Sequence, residues 1–275
     1  MRIVIPTHGR VLKQTTLGAL PAELRREVLL ITSTENERAE LRRHYSLKAA
    51  QVKVAPVYTI ADKRQWILEH IKDDVFMMDD DMVFYRRPDP PYRTFDARWK
   101  AKPGFKTLSL DYVSDTGIND LFIDLAAKLT GTAAVGISSR FGNDLEPTEV
   151  KLGANRLMHA FGYSRKTLLG LKFRFNAVQF REDFHMALTL LRAGHPSLQR
   201  YDWCVAPGAY GAPGGCSAER TVEASDKAAD QLAAVHPGFV RVVQKDYKGA
   251  PRKEVVVSWK KALEAGSQAG LTIYK

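Results

Sequence analysis

Two cysteines in 275 residues, Cys204 and Cys216, are too few for a disulfide framework, and a reducing, cytoplasmic setting is the expectation. No apolar run approaches the roughly 18–20 residues of a membrane-spanning helix, so no membrane partner is expected. The chain opens directly on RIVIPTHGR, without the basic and apolar regions of a secretory leader. Neither GxGxxG nor GxxxxGK[ST] occurs, so the fingerprints of dinucleotide oxidoreductases and P-loop NTPases are missing. Acids are in deficit: 41 Lys+Arg stand against 31 Asp+Glu, a formal +10 with a pI near 9.5. That excess favours polyanionic partners, nucleic acid before anionic membrane. Repeats, low-complexity tracts and linker-like stretches are also missing, which favours one continuous domain over residues 1–275.

What is present is an alternation. RIVIPT, EVLLITS, VKVAPV and VFMMDDDMVF are short β-branched or apolar runs that suit strands covered on both faces. Amphipathic stretches at 36–48 and 60–71 separate them, and the alternation predicts an α/β fold, a parallel, doubly wound Rossmann-like sheet flanked by helices. Beyond residue 110, helices are expected at 118–131 and 181–194, and strands at 133–139, 203–207 and 239–243. Ligands in such sheets sit at the carboxyl ends of the strands, where the triplet Asp79, Asp80 and Asp81 closes the fourth run.

Three adjacent carboxylates among apolar neighbours need compensation, and a hard divalent cation, Mg²⁺ or Mn²⁺, supplies it. On a regular strand Asp79 and Asp81 would face one side, leaving Asp80 to face outward or take another role. A metal held this way also binds a ligand phosphate, so a diphosphate becomes the natural partner. Glu182 and Asp183 open the helix at 181–194; they suit the helix dipole, and either could act as a general base. A lone histidine such as His236 is more often structural, though paired with Asp81 it could complete a metal shell. Thr7 and Arg10 follow the first strand, at its ligand-facing end. The glycine-rich segment 211–221, with Gly214, Gly215 and Arg220, reads equally as a phosphate-contacting turn or an ordinary loop. Two basic stretches, Arg86–Lys106 and Arg241–Lys261, each carry seven Lys/Arg against two acids and could grip nucleic-acid phosphates.

Taken in order, IPTHGR, VFMMDDDM, QFREDFHMALTLLRAGHP, PGGCSAERT and HPGFVRVV resemble the TET-associated glycosyltransferases, encoded largely by bacteriophages and of the GT-A class. The resemblance runs from Ile3 to about Lys248. It implies a GT-A-type mixed sheet, with residues 1–110 binding a nucleotide sugar, 111–250 binding the acceptor and 251–275 as a basic extension. It further implies transfer from a nucleoside-diphosphate sugar, such as a UDP-sugar, onto hydroxymethylated pyrimidines in DNA. The setting would then be the host cytoplasm. Asp81 would ligate the Mn²⁺ or Mg²⁺ that bridges the diphosphate, with Asp79 near the ribose or the same metal and His236 as a further ligand. Asp183 would be the base and Glu182 its fallback; Thr7, Arg10, Lys63, Arg64 and Asp80 would hold the nucleotide, under a loop carrying Gly214, Gly215 and Arg220. His185 departs from the expected acid or small polar residue. Other readings remain: a glycosyltransferase with a protein, lipid or saccharide acceptor, a metal-dependent nuclease or phosphohydrolase, or a DNA-binding module that leaves the triplet without purpose.

Overall fold

The computed structural model describes residues 1–87, 90–93, 113–141, 145–207, 221–247 and 249–273. The first half runs β1 (Arg2–Pro6), α1 (Thr15–Ala19), α2 (Ala22–Glu27), β2 (Leu29–Thr32), α3 (Glu35–Tyr45), β3 (Val52–Val54), α4 (Ile60–His70), β4 (Val75–Met78), β5 (Met82–Arg86) and β6 (Tyr92–Arg93). It continues with α5 (Asp115–Leu129), β7 (Ala134–Ser139), β8 (Leu145–Glu146), β9 (Val150–Gly153), β10 (Ala160–Tyr163), α6 (Arg165–Gly170), α7 (Glu182–Arg192) and β11 (Ser197–Pro207). It closes with α8 (Val222–Val235), β12 (Val240–Tyr247), β13 (Ala250–Val257) and α9 (Trp259–Ile273).

Among the described residues the main sheet holds nine strands, ordered β3-β2-β1-β4-β10-β7-β11-β5 with β9 added against β11. Strands β1 to β4 are parallel, as the alternation of strand and helix requires, while β10 enters antiparallel between β4 and β7. The sheet is therefore mixed, as the family resemblance implies, and not parallel throughout as the alternation alone predicts. Its strands come from both sides of residue 110, so the two expected halves share one sheet.

Strand periodicity sorts the core into two layers. Ile3, Ile5, Phe76 and Met78 face Leu17, Leu41 and Leu125, while Val4, Val75 and Met77 face Ile67, Leu168 and Leu190. Each fully buried aliphatic side chain contributes about 1.5–3 kcal/mol, and both layers together fix the strand ends that build the cleft. Several helices begin at side-chain caps: Thr34 forms a capping box with Glu37, and Thr59 and Ser114 cap α4 and α5.

The run at 75–84, expected as one strand, is split. β4 pairs with β1 and β10, whereas β5 pairs with β11, and the acid triplet is the turn between them. Thr16 holds that turn: its amide donates to the Asp80 carbonyl, its hydroxyl donates to the Asp79 carbonyl, and the Met82 amide donates to its Oγ1. The backbone groups freed by the break are thereby satisfied.

A third core joins α7 to α8, β12, β13 and α9 through Phe184, Leu188, Leu191, Leu232 and Ala262. Residues 251–273, expected as an extension, thus include a paired strand and a packed helix. A Cβ built at Gly266 of α9 would lie 1.9 Å from the Leu191 carbonyl oxygen of α7. Gly266→Ala should therefore push α9 off α7 and cost about 3 kcal/mol, read as a lower thermal midpoint; an unchanged melting curve would show that the helices do not meet there. No helix among the described residues is long and apolar enough to cross a membrane.

Candidate active site

The carboxyl ends of β1 and β4 open into a cleft of about 380 Å³ whose lining includes Thr7, Arg10, Tyr58, Arg64, His159 and Glu182 beside the acid triplet. Asp80 points inward and is 5% exposed, so of the two placements left open for the middle acid it does not take the outward one. Thr7 Oγ1 donates to its Oδ2 at 2.6 Å and Arg10 Nη1 to its Oδ1 at 3.0 Å. Burial outweighs these contacts and raises the Asp80 carboxyl to about 6. Arg10 Nη1 also donates to Asp81 Oδ2 at 2.6 Å, so one guanidinium clamps two of the three acids. Lys63, nearly fully buried, donates to the Thr7 carbonyl at 2.6 Å and to Ser33 Oγ at 2.7 Å, tying the ends of β1 and β2 together.

Asp79 is held from the other side. Its Oδ1 accepts from Arg64 Nη2 at 2.9 Å, and its Oδ2 lies 2.9 Å from His159 Nδ1. Burial pushes its carboxyl upward, but His159 and Arg64 outweigh burial and hold it below the usual range. Arg64 also donates Nη1 to Glu182 Oε1 at 2.7 Å, which completes a chain His159–Asp79–Arg64–Glu182 across the cleft. Burial drives the Glu182 carboxyl upward against the pull of Arg64. Asp183, beside it in the first turn of α7, is only partly buried and sits 3.5 Å from Arg156 Nη2. His159 adopts φ +61°, an uncommon backbone for a side-chain-bearing residue and frequent at functional sites.

A family model described as TET-Associated Glycosyltransferase matches residues 1–211 of the chain. The chain belongs to that family. It is accordingly a glycosyltransferase. Among curated proteins none matches it. Solved structures that resemble it include S. aureus TarS 1–349, at 10% identity and TM-score 0.49 over 99% of this chain and 72% of that one. GalNAc-T7 with UDP, GalNAc and Mn²⁺ resembles it at 12% identity and TM-score 0.44, over 85% of this chain and 48% of that one. The 4-diphosphocytidyl-2C-methyl-D-erythritol synthase of Anaerococcus prevotii follows at 12% identity and TM-score 0.42, over 86% and 95%. Family membership and the chemistry of the cleft carry the functional reading; likenesses this distant do not.

In this glycosyltransferase the structure gathers Thr7, Arg10, Lys63, Arg64, Asp79, Asp80, Asp81 and Glu182 around one cleft, with Asp183 at the next position of α7. His236 lies elsewhere. It is 1% exposed, with Nε2 2.8 Å from His185 Nδ1 and Nδ1 3.0 Å from Arg192 Nη1, so both ring nitrogens are engaged where α7 meets the C-terminal core. Burial lowers His185 to about 4 and His236 to about 3, which keeps the pair neutral. The partner His236 also accounts for a histidine at 185. Gly214, Gly215 and Arg220 lie outside the described residues, as does most of the first basic stretch. Arg87 of that stretch is buried and donates to Ser138 Oγ and the Tyr201 carbonyl. In the second stretch Lys253 pairs with Asp230 at 2.6 Å.

A divalent cation fits the donor set. The described residues bring together no three His, Cys, Asp or Glu side chains that could enclose a metal. Mg²⁺-type sites instead take one or two carboxylates and complete the shell with substrate phosphate and water. Asp81 suits this, since it borders the cleft and only its Oδ2 is engaged among the described residues. Two cleft residues escaped the sequence reading. Tyr58 is a 55% exposed aromatic packed edge-on against His8, with ring centroids 5.6 Å apart. His159 is marked only by its bond to a residue 80 positions away, which no local pattern announces.

Proposed function

We propose that this glycosyltransferase moves a sugar from a nucleoside-diphosphate donor, a UDP-sugar, onto the hydroxymethyl group of a modified pyrimidine in DNA. The observation that carries the proposal is the convergence of the acid triplet, Arg10, Arg64 and Glu182 on one cleft at the carboxyl ends of β1 and β4. Asp81, with Asp79 beside it, would hold Mn²⁺ or Mg²⁺. When bound, that ion would neutralise charge on the departing diphosphate. Arg10 orients Asp81, and Thr7 keeps Asp80 folded beneath it. The exposed ring of Tyr58 offers the nucleobase a stacking face at the rim.

Asp183 serves as the base. It is the less buried of the two acids that open α7, whereas Glu182 is committed to Arg64. The acceptor oxygen bonds to the anomeric carbon, the bond from that carbon to the diphosphate oxygen breaks, and the hydroxyl proton passes to Asp183. A cleft recessed at the strand ends does not reach an atom of a base held in the duplex stack, so the acceptor nucleotide would leave the helix. The +10 charge supports a polyanionic acceptor, as does the family to which the chain belongs.

UDP release from a UDP-sugar should rise with a duplex containing 5-hydroxymethylcytosine and not with the same duplex unmodified; equal rates with both would remove DNA as the acceptor. Asp183→Asn should leave UDP-sugar affinity within about threefold and lower turnover by about 10²–10⁴-fold. Normal turnover in that variant would move the base to another residue.

A further inference from the structure

One buried oxygen in the cleft lacks a hydrogen-bond partner among the described residues. Glu182 is 5% exposed, and while its Oε1 takes Arg64, its Oε2 is buried without a hydrogen bond from any other described residue, its own backbone amide being the one further donor near the carboxyl. Buried carboxylate oxygens are seldom left this way unless something arrives to satisfy them. The carboxyl is not free to rotate the vacancy away. Arg64 is fixed at its other nitrogen by Asp79 and lies 5.0 Å from the Phe161 ring centroid, so its fork selects which Glu182 oxygen stays open.

The surroundings narrow what can fill the position. Asp79 and Asp183 place negative charge nearby and raise the cost of an anion. A cation is already supplied by Arg64. A small neutral donor, a hydroxyl, satisfies the oxygen without adding charge. We propose that Glu182 Oε2 accepts a hydrogen bond from one hydroxyl of the transferred sugar, so that Glu182 reads the identity of the sugar and does not act as the base. This rests on the nucleotide-sugar reading of the cleft. A donor that lacks the contacted hydroxyl binds about 10- to 100-fold more weakly, the range for a hydrogen bond to a charged group. A donor carrying a carboxylate at that carbon is rejected.

The test compares binding of UDP with that of UDP-glucose, UDP-galactose, UDP-xylose and monodeoxy analogues to the wild type and to Glu182→Gln, by titration calorimetry with Mn²⁺ present. Gln keeps the shape and an acceptor for Arg64 but replaces the open oxygen with an NH₂ group. Glu182→Gln should hold the UDP affinity within about twofold, weaken the preferred UDP-sugar about 10-fold or more, and bind one monodeoxy analogue as the wild type does. That loss of discrimination at a single carbon is a signature a merely structural role would not give. Equal weakening of UDP and UDP-sugars, or no weakening of either, overturns the assignment and leaves the donor reading intact. A wild type that binds neither UDP nor any UDP-sugar overturns the donor reading as well.

Discussion

Arg64→Ala should melt roughly 10 °C below the wild type at neutral pH and show no measurable transferase activity. Arg64 is 4% exposed and is the only residue bonded to both Asp79 and Glu182 among the described contacts. Removing one partner of a buried pair strands the remaining charge, which typically costs about 3–5 kcal/mol. Here the cost falls mainly on Glu182, because Asp79 keeps His159. Two further variants separate charge from geometry. Arg64→Lys preserves the charge but offers a single ammonium where a fork spans two carboxylates, so it recovers little activity. Arg64→Ala combined with Glu182→Gln neutralises the stranded acid and should be more stable than Arg64→Ala alone, a coupling that distant sites do not show. If the double variant melts no higher than the single one, the chain across the cleft is not the stabilising arrangement described.

Asp81→Asn should fold normally and lose about 10²–10³-fold in transfer, the worth of several kcal/mol of charge stabilisation at the departing diphosphate. The fold survives because an asparagine oxygen can still accept from Arg10. What disappears is the anionic oxygen facing the cleft. A chelator added to the wild type should produce a similar loss, and added to Asp81→Asn it should change little more. A chelator-sensitive Asp81→Asn enzyme with wild-type activity would place any metal on other residues.

Much of the first half was legible because local pattern decides it. The strand runs and the helices between them follow apolar period and caps, and the triplet lies at the end of β4 as the alternation required. What stayed hidden depends on partners far along the chain. The middle acid turned inward because Thr7 and Arg10, some 70 residues away, bond it there. His236 carries a sequence context that suits a metal ligand, yet α7 supplies it with His185 and Arg192 instead. That a second strand begins at Met82, just past the triplet, was unreadable from the run itself, since only the pairing of β5 with β11 shows it.

The most direct test is mass spectrometry of nucleosides digested from 5-hydroxymethylcytosine- or 5-hydroxymethyluracil-containing DNA after incubation with the protein, Mn²⁺ and a panel of UDP-sugars. A hydroxymethylated nucleoside heavier by one glycosyl residue, formed with a donor and absent without it, is the expected result. Unchanged nucleosides across the whole panel, or nicked DNA and free nucleotides without any donor, would contradict the account.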